Sequence, residues 1–188
     1  MGRVRGYLAM SLDGFIAGAN DEVGWLEEPR SSGLPFAKGE WALSDADGLE
    51  FDAFLEQVGC IVMGRRTYDV VRSFGGEWQY GETPMLVVTS TALEGGSPSV
   101  TAIHGGVPAA IDRAREIAGD ADIYVDGGRT IRAALDAGLL DHLVITMLPT
   151  ALGAGISLFA GLEHWAEFSV ERVVPWGPGY IQIHLTTR

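Results

Sequence analysis

Cysteine is nearly absent: Cys60 is the only one in 188 residues. A single thiol closes no intrachain disulfide and builds no zinc site that needs several thiolates. Its neighbours Ile61 and Val62 predict a buried structural thiol. Positive charge is also scarce, with 13 Lys and Arg against 25 Asp and Glu and a formal net charge of −12. Such an acidic chain is a poor general partner for nucleic acid, and the acidity makes any local arginine cluster more informative. No apolar run reaches the length of a membrane span. The first residues lack the charged start, apolar stretch and cleavage site of a signal peptide. A cytoplasmic protein without membrane contact is therefore expected. His104 and His164 stand alone, with no second ligand at metal spacing, and His142 and His184 fall near or within strands, so no metal is expected. Also missing are a Gly-x-Ser-x-Gly elbow and the His-x-Glu and Pro-Cys-x-x-Cys pair of zinc deaminases.

What is present suits one domain over residues 1–188. The chain is 47% hydrophobic, and its 26 glycines sit mostly at turns rather than in repeats. Apolar periodicity predicts strands at 4–10, 61–63, 85–89, 100–104, 123–125 and 143–148. Helices are predicted at 67–73, 108–118 and 130–137. Phe51, Phe54, Leu55 and Val58 fall at i, i+3, i+4 and i+7, one face of a further helix. Asp47 and Glu50 before it have capping-box spacing. The segment 27–43 is irregular, either a flap or an excursion. Segments 168–174 and 180–185 alternate around Pro175-Trp176-Gly177-Pro178-Gly179 and read as an antiparallel hairpin. Strands alternating with helices predict an α/β fold. Its sheet is mixed but mostly parallel, flanked by helices on both faces and closed by the C-terminal hairpin.

The most telling stretch is Ile61-Val62-Met63-Gly64-Arg65-Arg66-Thr67-Tyr68. A buried strand opens through glycine onto a helix start, where free N–H groups and the helix dipole attract anions. The two arginines add bidentate phosphate pairing, and Thr67 offers a hydroxyl for the cap. The plainer alternative is a basic turn that caps a helix. Thr89-Ser90-Thr91 and Asp126-Gly127-Gly128-Arg129-Thr130 also fall at ends of predicted strands. Ligands bind at such ends where strand order reverses, so three of them predict one extended, phosphate-bearing ligand.

Four elements, in order, resemble the dihydrofolate reductase superfamily. They are Met10-Ser11-Leu12-Asp13-Gly14-Phe15-Ile16-Ala17, Val62 to Tyr68, Val125-Asp126-Gly127-Gly128, and Pro149-Thr150-Ala151-Leu152-Gly153-Ala154-Gly155. More closely, they resemble the C-terminal reductase domain of the bifunctional riboflavin-biosynthesis deaminase-reductase and its stand-alone relatives. The resemblance implies NADPH as cofactor. It implies that Gly64, Arg65, Arg66 and Thr67 hold phosphates, with an arginine and Ser90 and Thr91 at the 2′-phosphate. It places Gly127 and Gly128 against the pyrophosphate, often through a cis peptide, and Ala9, Ile16 and Ala17 beside the nicotinamide. Residues 10–21 correspond to a mobile loop over the active site. Thr89, Arg129 and Thr130 join the cofactor set by position, Arg129 meeting either phosphate or solvent.

Related reductases place a carboxylate on the helix before the Gly-Arg turn. Asp47 and Glu50 are the candidates for proton supply, or else a cap and a solvated side chain. Asp13 either bonds its own turn or acts near the nicotinamide. Trp25, Trp78 and Trp176 either wall a pocket or pack in the core. The expectation is an NADPH-dependent reductase acting on a pterin-, pyrimidine- or ribosylaminopyrimidine-like heterocycle, as a homodimer. The alternative is a non-catalytic NADP-binding or dimerisation module on the same fold.

Overall fold

The computed structural model describes residues 2–26, 48–176 and 179–188. Asp47 and the irregular stretch 27–43 lie outside the described residues. Strand β1 (Val4–Ser11) is followed by a short β2 (Phe15–Ala17), helix α1 (Phe51–Leu55), β3 (Val58–Gly64) and helix α2 (Arg65–Ser73). Next come β4 (Met85–Val88), β5 (Val100–Ile103), α3 (Gly106–Ala118), β6 (Asp122–Asp126) and α4 (Gly128–Asp136). The chain ends with β7 (His142–Leu148), β8 (Ile156–Ser157), β9 (Phe168–Trp176) and β10 (Tyr180–Thr187).

Eight strands form one sheet in the order β5-β4-β3-β6-β1-β7-β10-β9, and β2 pairs with β8 beside it. From β5 to β7 every pairing is parallel, while β10 runs antiparallel to both β7 and β9. The mixed, mostly parallel sheet and its C-terminal hairpin are as the pattern predicts. Strand β3 shows why its sequence is an unbroken apolar run. Cys60 and Val62 enter the core under α3 and α4, while Ile61 and Met63 enter the core with Phe54, Tyr68 and Tyr124. Both faces are covered, so alternation disappears. Among the described residues, no helix is long and apolar enough to cross a membrane.

Three boundaries differ from the periodicity. Val58 does not complete the α1 face; it opens β3 and pairs with Asp122. Helix α2 starts at Arg65, because Gly64 is extended (φ −74°, ψ 148°) and leads straight off β3. Thr67 therefore lies in the first turn rather than at the cap. Helices α3 and α4 likewise start two residues early, at Gly106 and Gly128. In α3, Ala110, Ile111 and Ala114 are buried and Ile117 is 36% exposed.

From β3 the chain steps outward to β4 and β5, then crosses back through α3 to place β6 between β3 and β1. Strand order reverses there, and the carboxyl ends of the parallel strands open into a crevice.

Candidate functional site

That crevice is a cleft of about 1270 Å³, larger than the roughly 300–1,000 Å³ of most small-molecule sites. Its lining runs from the end of β5 to the end of β1. Four strand steps at about 4.8 Å each make that close to 19 Å, a length suited to an extended ligand. Ala9, Ile16, Ala17, Gly64, Arg65, Arg66, Thr67, Thr89, Ser90, Thr91, Gly127, Gly128, Arg129 and Thr130 all line it.

Three helix N-termini meet this cleft. The N-cap residues of α2, α3 and α4 are Gly64, Gly105 and Gly127, and none of the three has a side-chain cap. Each first turn thus keeps N–H groups without an intrahelical partner, and each carries positive dipole charge. Gly105 (φ 98°) and Gly127 (φ 95°) adopt backbone that other residues avoid. A Cβ on Gly64 would stand 2.8 Å from Thr130 Oγ1, and one on Gly127 would strike Thr67 Oγ1. The two turns therefore interlock, each threonine hydroxyl facing the other's glycine. Among the described residues no peptide bond is cis, so the Gly127-Gly128 peptide is trans and the turn is made by the positive φ of Gly127 instead.

The arginines are held differently. Arg65 Nε lies 2.9 Å from both Asp69 carboxylate oxygens, and its Nη1 donates to Thr91 Oγ1 and Ala92 O at 3.0 Å. Thr91 N–H donates to Thr89 Oγ1 at 3.1 Å, which ties the β4 end to α2. Arg66 pairs with Asp21 at 2.8 Å. Asp21 is the only non-glycine residue with positive φ among those described. Arg129 is exposed. Arg132 donates to Ser157 O and Leu158 O at 2.7 and 3.1 Å; desolvation and then the Arg129 charge lower its pKa.

A carboxyl also lies in the cleft. Asp126 ends β6, accepts Tyr80 O–H at 3.1 Å and accepts Gly127 N–H at 2.8 Å. Desolvation by its surroundings raises its pKa above the usual carboxylate range, against the opposing pull of Tyr80, Tyr124 and Gly127. Burial and the Asp126 charge likewise hold the Tyr80 hydroxyl protonated. Tyr7 O–H donates to Leu49 O at 2.8 Å. Burial, with a lesser contribution from the Glu50 charge, pushes its phenol up to about 12. Phe51 touches Tyr7, Tyr80 and Tyr124, with ring centroids 5.4, 6.3 and 6.1 Å apart.

The carboxylates expected to move protons are placed elsewhere. Asp13 accepts Ser11 O–H at 2.7 Å and the N–H groups of Leu152 and Gly153 at 3.1 and 2.7 Å. The Ser11 hydroxyl first, and then Gly153, lower its pKa. It ties the turn after β1 to the loop after β7 and is not among the residues lining the cleft. Glu50 is exposed at the N-cap of α1 and makes no side-chain cap bond. Trp25, Trp78 and Trp176 do not line the cleft; Trp78 packs on Tyr68 and Tyr80, and Trp176 lies against Gly48.

The sequence reading passed over Asp126 as a carboxylate, Tyr80, and the turn His104-Gly105-Gly106. Two signals point to Asp126 and to the glycine turn, and none points to Tyr80. A carboxylate preceded Gly-Gly at a strand end, and a second Gly-Gly followed the β5 strand ahead of Pro108.

The sheet order, the C-terminal hairpin and the cleft together define a dihydrofolate reductase-like α/β domain. By sequence the chain belongs to the RibD C-terminal domain family, whose model matches residues 4–181. A crystal structure of a Shewanella sp. PV-4 protein, named in connection with riboflavin biosynthesis, superposes with a TM-score of 0.81 at 30% identity, covering 100% of this chain and 99% of that one. The uncharacterized protein YwjB of Bacillus subtilis (strain 168) is 27% identical over 179 residues, 95% of this chain and 94% of its own length. Dihydrofolate reductase from Enterococcus faecalis, solved with NADP(H), shares the fold with a TM-score of 0.61 at 14% identity, covering 99% of this chain and 96% of that one.

Proposed function

We propose that this protein is an NADPH-dependent reductase that transfers a hydride to a small pterin-, pyrimidine- or ribosylaminopyrimidine-like heterocycle. The observation that carries the reading is the convergence of three glycine-capped helix N-termini, without side-chain caps, on one cleft. Helix starts without side-chain caps, their dipoles and the guanidinium groups suit a ligand with several phosphates. Gly64 and Gly127 let the starts of α2 and α4 close on each other through Thr130 and Thr67, so two uncapped helix starts face one cleft, and the residues present fit a dinucleotide.

In this reading the first turns of α2 and α4 hold the pyrophosphate. Arg66 meets the 2′-phosphate, and Arg65 fixes Thr89 to Thr91 beside it. Ala9, Ile16 and Ala17 form the small apolar floor for the nicotinamide. Bound NADPH supplies the hydride. The protein aligns the rings and sheds water from between them. Asp126, whose pKa burial raises, is the carboxyl placed to give a proton to the acceptor and to be reprotonated from solvent. Tyr80 orients that carboxyl. Asp13 is assigned to loop clamping. A cytoplasmic homodimer remains part of the proposal; sedimentation as a monomer at micromolar concentration would remove the dimer.

The reading is tested by following NADPH oxidation with pterin and pyrimidine acceptors. Steady oxidation with one of them supports it. Tight NADPH binding with no turnover of any acceptor would instead leave a nucleotide-binding module.

A further inference from the structure

The ribbon of β2 and β8 stands apart from the eight-stranded sheet. Its strands have three and two residues, too few to hold a position by pairing alone. Where the ribbon sits is therefore set by what fastens it. Phe15 pairs with Ser157, and Ala17 with Ile156. Leu158 N–H donates to Gly14 O at 3.0 Å, and the buried Leu158 side chain roots the end of β8 in the core. A further fastening is charged. Arg132 Nη1 donates to Ser157 O at 2.7 Å and to Leu158 O at 3.1 Å.

Arg132 belongs to α4, four residues after Gly128, so the two share one face of that helix. A Cβ on Gly128 would stand 2.7 Å from Ile16 Cδ1 and 3.4 Å from Arg132 Nη1. Gly128, Ile16 and the guanidinium thus meet at one point, and all three line the cleft. Holding a cation there is costly, since desolvation and then the Arg129 charge lower its pKa. Bonds from a charged donor are stronger than neutral ones, and two carbonyls on one nitrogen fix its direction. In the reductase reading the first turn of α4 is a phosphate end, while Ile16 and Ala17 of β2 are the nicotinamide floor. Arg132 joins the helix that carries the one to the ribbon that carries the other.

We propose that Arg132 is a positioning residue: by holding β8, and through it β2, it sets the nicotinamide floor at its distance from the start of α4. The inference rests on the reductase reading and assigns how that site keeps its two ends in register. Without the tie the phosphates keep their helix starts and the floor drifts. A drift of about 1 Å is enough to spoil the alignment of reacting rings.

The test compares NADPH with 2′-phosphoadenosine 5′-diphosphoribose, which carries every phosphate of the coenzyme and no nicotinamide. Both are titrated by calorimetry into the full chain and into its Arg132→Met and Arg132→Lys variants. Methionine keeps an unbranched stem and removes the donors; lysine keeps one cationic group. Arg132→Met is expected to weaken NADPH about tenfold and to leave the fragment within about twofold. The emission of bound NADPH, which reports burial of the nicotinamide, should move towards that of free NADPH in Arg132→Met and back towards the wild type in Arg132→Lys. Equal weakening of both ligands would make Arg132 a phosphate ligand or a general prop and overturns the inference. So does an Arg132→Met chain that binds NADPH with wild-type affinity and emission. Should Arg132→Met not fold, Arg132→Lys carries the same comparison: a smaller loss confined to NADPH is expected, and a loss shared by both ligands, or none, overturns the inference. Failure of both ligands to bind the wild-type chain removes the reductase reading itself, and the inference with it; that outcome is told apart because it needs no variant.

Discussion

In the folded chain Asp126 holds its proton above the usual carboxyl pKa of 3.8. Between that value and its raised one, the folded state binds more protons than the unfolded state, so stability falls as pH rises through the window. Asp126→Asn removes the ionisation and keeps the shape. Relative to the wild type, its melting temperature should lack that one decline, the pH dependence contributed by His184 and Asp13 being kept. As proton donor, Asp126 is active below its raised pKa, so turnover should fall as pH climbs past it. The Asn variant should lose about 10²- to 10⁴-fold in kcat, the usual worth of a general acid, with NADPH affinity kept. A variant with wild-type kcat would take the proton role away from Asp126. At the other end of the cleft, Asp21 and Arg66 neutralise each other at 2.8 Å. Replacing Asp21 with Asn frees the guanidinium and should tighten NADPH several-fold with little change for NADH. Arg66→Ala should do the reverse. Equal effects on both coenzymes, read by fluorescence titration, would contradict the 2′-phosphate assignment.

At the scale of elements, function is carried by how three helices begin. Gly127 bends the chain at φ 95° against Thr67. Gly127→Ala should cost on the order of 1–3 kcal/mol of backbone strain, seen as a lower melting temperature, and should weaken NADPH further by pushing Thr67 aside. A variant that melts lower but binds NADPH normally would detach the glycine turn from the ligand. Much of this was legible in the chain. Gly64-Arg65-Arg66-Thr67 and Gly127-Gly128 each follow an unbroken apolar strand, and strand-glycine-helix is a local pattern. The helices start two residues before Thr67, Pro108 and Thr130, the residues that mark their starts in the sequence, because a glycine serves as each cap. Asp126 escaped notice because its value depends on Tyr80 and Tyr124, 46 and 2 positions away in the chain. Asp13 reads from its motif either as bonding its own turn or as acting near the nicotinamide, and its partners Leu152 and Gly153 come from about 140 positions further on. A pattern read along the chain does not record such pairings. Its lowered pKa means that Asp13 stabilises the fold above the usual carboxyl pKa and that this is lost as pH falls. Asp13→Ala should therefore lower the melting temperature at neutral pH more than at pH 3.

Across the whole molecule, the C-terminal hairpin is coupled to the cleft through one buried amide. Gln182 Oε1 accepts Leu49 N–H at 2.7 Å, and its Nε2 donates to Leu49 O at 3.0 Å, fixing the chain that leads into Glu50 and Phe51. The same oxygen faces His184 Nε2 at 2.8 Å, so that nitrogen must carry the proton, leaving Nδ1 to accept from Arg172 at 3.4 Å. A second proton would face a guanidinium in a buried site. Burial, and then Arg172, depress the His184 pKa to about 4. The unfolded chain therefore takes up protons first, and stability should decline as pH falls from 6.5 towards 4. The measurement that bears most directly on the reductase reading is a thermal-shift titration with NADPH, NADP and NADH in parallel. A ligand that binds only the folded chain at 100 times its Kd adds about 2.7 kcal/mol, worth several degrees for a domain of this size. NADPH and NADP should raise the melting temperature by that order and NADH by much less. No shift with any of the three would contradict the reading of the cleft as a dinucleotide site.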